Sequence, residues 1–566
     1  MTFPSVADST SYLMWFRRDL RVEDNTALSQ LTDSAKQALT QNNPSQLDVS
    51  QSSVSKAAQP TISNSAQPKI HALFVVTAEQ WLEHDMSIVQ MDFIFRTLKV
   101  LATSLFDQLD IELHVLKTAD FDSCIETVVN FCEQHSITYM ASNYEYEVNE
   151  MQRDAAIEQR LKQQDIEFSR YHDQCILPPK AVTTNDETMY KIFTPFYKKW
   201  QSILETSPPN LYSTEKVNSD KPAAERLSQI LATIDDLHQQ TLRLFSAAYF
   251  EAESANQDDQ AQLLKNAEET FVAGEVAAYQ QLQTFLAEDV QRYDIARDQP
   301  ALEATSRLSP YLTVGAISPR VCYLKAKQAA EAIYEANVFN QSEKQTNKPL
   351  ENSNEAGAQQ DIQRWISELA WRDFYRHVIA DRPDIVKGTA FNKVADTKVH
   401  WSYDEQDFSR WCQGQTGVPL IDAAMRCLNQ TGFMHNRLRM VTAMFLTKDL
   451  FIDWRWGERY FMQRLIDGDF ASNNGGWQWS ASVGTDAAPY FRIMNPFSQA
   501  KTHDKEAIFI KTWLPELKAI KPSILHDEAK LRQALSTKGE LANVDYPQPM
   551  VEHKQARLYA IGQFKG

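Results

Sequence analysis

The chain has 566 residues, 43% of them hydrophobic and 23% charged, with a formal net charge of −17. That length implies two or three domains, and no apolar run approaches the roughly 18 residues that a membrane-spanning helix needs. The negative balance excludes a protein that coats nucleic acid through bulk charge, though not one with a local basic patch.

Met1 to Ser11 has neither a basic nor an apolar leader pattern, so export is not expected. The six cysteines (Cys124, Cys132, Cys175, Cys322, Cys412, Cys427) are scattered without a C-x-x-C pair. Disulfide frameworks and thiolate metal sites are therefore disfavoured, and a reducing cytoplasmic location fits.

Tyr12 to Phe16 reads as a buried strand, and Asp24-Asn25 as the cap of a short helix through Leu28. From about Ala35 to Pro68 the composition turns to Gln, Asn, Ser, Thr and Pro, which cannot support a core and reads as a surface insert. A strand from His71 to Val76 follows. Ser87-x-x-Gln90 then has the wording of a capping box opening a helix to about Phe106. Strands at Ile111 to Leu116, Ile137 to Ala141 and Ile166 to Tyr171 alternate with helices at Phe121 to His135 and Glu150 to Gln163. Such alternation implies a parallel sheet covered on both faces, so residues 1–172 are expected to form a Rossmann-like α/β domain. No G-x-G-x-x-G follows its first strand, so no phosphate loop is read there.

Residues 173–270 read as a polar interdomain linker with an acidic insert from about Ala252 to Thr270. From 271 to 566 apolar residues follow helical spacing, which predicts an all-α domain interrupted by a polar insert near 337–359.

Chemistry concentrates in this second half. Asp467-Gly468-Asp469-Phe470-Ala471-Ser472-Asn473-Asn474-Gly475-Gly476-Trp477-Gln478-Trp479 combines acids, amides and two indoles with residues that break helices. It reads as a loop that binds a flat aromatic ligand. Thr305-Ser306-Arg307-Leu308-Ser309-Pro310 brings hydroxyls, backbone amides and a guanidinium before a helical stretch, a combination suited to phosphate oxygens, though such clusters more often cap a helix. Trp365, Glu368, Arg372 and Tyr375 are spaced to share one helix face, so an acid and a guanidinium converge between aromatics. Asn436, Arg439 and Met440 share another face, from which Arg437 turns away.

These segments occur in the order found in the photolyase/cryptochrome family. The resemblance extends to Cys412-Gln413-Gly414-Gln415-Thr416-Gly417, His435-Asn436-Arg437-Leu438-Arg439-Met440, Thr485 to Arg492 and Trp15-Phe16-Arg17-Arg18-Asp19-Leu20-Arg21. Within the family the chain most resembles the bacterial branch that repairs cyclobutane pyrimidine dimers.

The resemblance implies an α/β antenna domain and an all-α domain that binds FAD, reduced and anionic in its active form. For the cofactor it implies contacts from Tyr293, Thr305, Ser306, Arg307, Leu308, Ser309, Arg372, Arg439, Asp467, Gly468, Asp469 and Asn473. Arg439 is expected to pair with Asp467 beneath the flavin, and Asn473 to face its N5. Glu368, Trp371, Asn436, Met440 and Trp479 are implied around the flipped dimer. Trp401, Trp454 and Trp477 match the tryptophan chain that carries electrons from the surface.

Arg297, Arg437, Arg492 and Lys501 match or neighbour positions that hold DNA phosphates. His84, Asn149, Glu150 and Lys387 match an antenna site, expected to take 5,10-methenyltetrahydrofolate, with a deazaflavin as the alternative. No metal is implied, and a monomer is expected. Asn436 and Met440 stand where the (6-4) photoproduct enzymes carry histidines, which favours dimer repair; the alternative function is blue-light signalling of the cryptochrome type.

Overall fold

The computed structural model describes residues 11–42, 68–218, 221–250, 257–344, 354–536, 539, 541 and 543–565. Strands β1 (Ser11–Phe16), β2 (Lys69–Thr77), β3 (Leu113–Thr118), β4 (Ile137–Asn143) and β5 (Glu167–Tyr171) form one sheet in the order β3-β2-β1-β4-β5. All four pairings are parallel. Every residue of β1 is buried, as a central strand covered on both faces requires. Its side chains alternate between two cores. Leu13 and Trp15 join Leu73 and Val75 against helix Phe121–Gln134, while Tyr12, Met14 and Phe16 enter the larger core shared with helix Ile88–Leu109.

The structure alters several sequence-based boundaries. The first helix runs Thr26–Asn42, with Asn25 Oδ1 accepting from Leu28 N at 3.2 Å and Ala35 buried, so the expected insert cannot begin at 35; residues 43–67 lie outside those described. Ser87 caps Ile88–Leu109 by accepting from Gln90 N, but the Gln90 side chain does not close the capping box. It donates instead to Gly468 O at 2.7 Å, while Ser87 Oγ donates to Leu465 O at 2.7 Å. A local motif thus serves the domain seam.

The stretch read as a linker contains helices Phe193–Thr206, Ala224–Tyr249 and Gln257–Thr270. The second carries an apolar stripe, with Ile234 and Phe245 buried, and its His238 stacks on Phe95 of Ile88–Leu109 at 4.9 Å. Even the acidic third buries Leu263 and Ala267. Composition averaged over the whole stretch hides these helices, whose buried residues recur at helical spacing along one face. Near the expected 337–359 insert, helices Pro319–Lys344 and Asn354–Asp381 leave only 345–353 outside the described residues.

Candidate cofactor and substrate cavity

The run expected to be a binding loop is a helix, Phe470–Ala481. Asp469 caps it, its side chain accepting from Ser472 N at 3.0 Å, which satisfies one of the amides a helix start leaves unpaired. Gly475 serves packing rather than turning. A Cβ on Gly475 would lie 2.2 Å from the Tyr375 ring, so only glycine lets this helix rest on Asn354–Asp381, whereas one on Gly476 would meet no atom within 4 Å.

Between these two helices, helix Asn436–Met444 and segment 305–313 lies a cavity of about 490 Å³, a volume usual for small-molecule sites. Trp365, Glu368, Arg372 and Tyr375, the four that spacing puts on one face, line one wall together with Trp371. Asn436, Arg439 and Met440 line another, and Arg437 does not. Tyr293, the whole run Thr305, Ser306, Arg307, Leu308 and Ser309, and Asp467, Asp469, Asn473, Gly476, Trp477 and Trp479 also line it. Gly468 lies outside the lining.

Ion pairs fix the charged groups. Arg439 Nη2 donates to both Asp467 oxygens, at 3.0 and 2.8 Å. Arg376, one turn beyond Arg372 on the same helix, pairs with Asp469 at 2.7 Å. Burial pushes the Asp469 carboxyl upward, but Arg376 and Arg372 overcome this and hold it at about 2. The convergence of Glu368 with Arg372 does not become a pair. Arg372 donates to the carbonyls of Gln174 and Leu312, and its own pKa is pulled down to about 10 by burial and by Arg376. Glu368 Oε1 instead accepts from Arg297 Nη1 at 2.5 Å. Trp371 is held face to face with Phe193, ring centroids 3.7 Å apart. Asn473 Nδ2 donates to Glu458 O at 2.9 Å, which anchors the amide by its nitrogen. Arg307 has φ +50° and pairs with Glu303 at 2.9 Å.

Two of the three tryptophans share a partner, and the third packs on the helix that carries the second. Trp401 Nε1 and Trp454 Nε1 both donate to Asp396 Oδ1, at 3.0 and 3.2 Å. Helix Trp454–Met462 then lies on Trp477, where a Cβ on Gly457 would meet its ring at 2.1 Å. Trp477 lines the cavity, and Trp401 is half-buried at the far end.

Away from the cavity, Asn149 Nδ2 lies 3.3 Å from His84 Nε2 and Glu150 Oε1 3.6 Å from His84 Nδ1. Burial and the neighbouring Glu147 and Glu145 push the Glu150 carboxyl up to about 8, while burial and Arg18 lower His84 to about 4. Among the described residues no hydrogen bond or ion pair joins Lys387 to these three. Of the four cations expected at DNA, Arg297 lines the cavity, Arg437 pairs with Asp298, and Arg492 and Lys501 are exposed.

A parallel α/β domain seated on a helical domain with an acid-, amide- and indole-lined cavity defines a class of cofactor-binding α/β-plus-helical proteins. Residues 12–213 match the family model described as DNA photolyase, and residues 365–566 the one described as FAD binding domain of DNA photolyase. The deoxyribodipyrimidine photo-lyases of Salmonella typhimurium and Escherichia coli are each 38% identical to this chain, over 98% of both chains compared. A solved class III photolyase from Agrobacterium tumefaciens superposes with a TM-score of 0.70 at 25% identity, covering 100% of this chain and 99% of its own. The chain belongs to the DNA photolyase family.

Proposed function

We propose that this protein repairs cyclobutane pyrimidine dimers in DNA by light-driven electron transfer, using FAD held in the cavity. The residues fit that cofactor. Thr305 to Ser309 offer hydroxyls and backbone amides at the start of helix Ser309–Val314 for the diphosphate. The side-chain-free Gly476 leaves a flat wall, and the Arg439–Asp467 pair and Asn473 offer fixed donors and acceptors to a polar heterocycle. Bound there in its reduced, anionic form, FAD would supply, on absorbing light, one electron that splits the dimer ring and then returns to the cofactor.

The chain's own residues do the remaining work. Trp371 and Trp479 give the flipped pyrimidines apolar faces, and flipping is eased because the lesion already stacks and pairs poorly, photolyases being a standard example of such flipping. The Glu368 carboxylate accepts a hydrogen bond from the imide N–H, and Asn436 and Met440 shape the pocket for a dimer. Trp401, Trp454 and Trp477 would relay electrons from an external reductant at the surface to the group held in the cavity. His84, Asn149 and Glu150 hold an antenna, which we assign as 5,10-methenyltetrahydrofolate. We further propose a cytoplasmic monomer acting on damaged DNA; among the described residues no helix is long and apolar enough to cross a membrane.

The observation that carries this reading over cryptochrome-type signalling is the meeting of Glu368, Trp371, Asn436 and Met440 in one cavity. Reduced protein incubated with a thymine-dimer oligonucleotide should restore paired thymines under blue light and not in darkness. Glu368→Ala should slow repair about tenfold, the loss of one charge-assisted hydrogen bond. Lesion binding with intact FAD but no repair would overturn the reading in favour of signalling.

A further inference from the structure

We infer that Asp298 is a specificity-determining residue, its carboxylate standing in for a DNA phosphate between Arg437 and Arg297 so that undamaged duplex gains little from either arginine. The inference rests on the reading of the cavity as a DNA-repair site.

Arg437 grips Asp298 with two prongs, Nε to Oδ1 at 3.2 Å and Nη2 to Oδ2. The same Oδ1 lies 3.8 Å from Arg297 Nε. One carboxylate therefore bridges an arginine that lines the cavity and one that does not, which places it at the rim. A second acid completes the arrangement, since Arg297 also donates to Glu368 and Arg364 lies 3.8 Å from Glu368 and 3.7 Å from Asp294. Each of these rim guanidiniums already faces an acid. Burial works against the Asp298 anion, but the hydrogen bond and charge of Arg437 hold its carboxyl below the usual range.

A phosphodiester and a carboxylate both present two oxygens to a guanidinium fork, so exchanging one for the other changes little. Undamaged DNA offers only that exchange. A flipped dimer adds contacts inside the cavity, and these drive the displacement of Asp298. The carboxylate thus acts against the wrong partner rather than for the right one, and a repulsive element of this kind is how a small difference in structure becomes a difference in affinity.

The test is anisotropy titration of undamaged and single-dimer duplexes at several salt concentrations. Asp298→Asn should bind undamaged duplex about tenfold tighter, with a log–log salt slope steeper by about one unit, one extra phosphate neutralised. Its dimer affinity should rise less, so that discrimination falls, while Asp298→Glu stays close to wild type. Glu126→Gln, at an exposed acid paired with Arg160 on the α/β domain, makes the same change in net charge and serves as control. Arg437→Gln supplies an independent arm: it should weaken dimer binding by clearly more than undamaged binding, which loses only the neutralisation of the stranded Asp298. Asp298→Asn no tighter than the control, equal gains for both duplexes, or equal losses in Arg437→Gln would overturn the inference. A wild-type protein without preference for the dimer would sink the repair reading instead.

Discussion

Glu458 sits buried behind the cavity, accepting from Asn474 Nδ2 at 2.7 Å while its backbone carbonyl anchors Asn473. Burial pushes its carboxyl up to about 7, against an ordinary value of 4.5. The folded protein therefore holds a proton there that the unfolded chain releases above 4.5. This contribution to stability is complete below pH 4.5 and is lost as the pH rises toward 7. A rise of that size corresponds to something on the order of 3 kcal/mol. Glu458→Gln keeps the shape and the acceptor without the titration. Thermal melts from pH 5 to 7.5 should show wild type losing stability relative to this variant as pH rises, and parallel curves would mean that the carboxyl is already ionised in the fold.

Helix Phe470–Ala481 shows what neighbouring residues in a sequence cannot say. Asn473-Asn474-Gly475-Gly476 has the composition of a turn, and only the Tyr375 ring of another helix explains why Gly475 belongs in a helix. Alanine normally favours a helix over glycine by about 1 kcal/mol. Gly475→Ala should nevertheless destabilise by about 1–3 kcal/mol, the usual cost of overpacking, because the methyl would meet that ring at 2.2 Å. Gly476→Ala has open space, so the helix preference of alanine should raise the melting temperature of the FAD-free protein slightly, while FAD binding weakens, readable by fluorescence titration. Equal melting temperatures for the two variants would refute this division of roles. By contrast, the face bearing Trp365, Glu368, Arg372 and Tyr375 was legible, since one helical period fixes it. Their partners were not. Arg297 for Glu368 and Asp469 for Arg376 come from distant segments, and spacing carries no record of such pairing. The helices within 193–270 are obscured for a related reason, since a neighbouring element sets which stripe of each is buried and the composition averages over the polar segments between them.

The two halves of the molecule are joined by charge buried at their seam. Arg320, from helix Pro319–Lys344, meets Asp173 at 2.8 Å and Asp24 at 3.0 Å, and Arg21 meets the other Asp173 oxygen at 2.6 Å. Burial opposes the Asp173 anion, but Arg21 and Arg320 together hold its carboxyl well below the usual range. Its contribution is thus present at neutral pH and is lost only in acid, the opposite sense to Glu458. Replacing such a network by apolar residues can be neutral, whereas removing one member leaves a buried charge without its counterion and costs about 3–5 kcal/mol. Arg320→Met should cost that much at pH 7, and less at a pH low enough to protonate the stranded aspartates. Asp173→Asn in the same chain should add far less than it costs alone, because the two side chains belong to one network. Gln90 and Ser87 would still bridge to the helical half, so the variant should keep the cavity and its FAD at moderate temperature while the α/β half unfolds first on heating. Calorimetry checks this through a separate low-temperature transition, and flavin release followed in parallel should track the later one. Strict additivity of the two substitutions, or flavin loss with the first transition, would show that the seam does not work as one buried network.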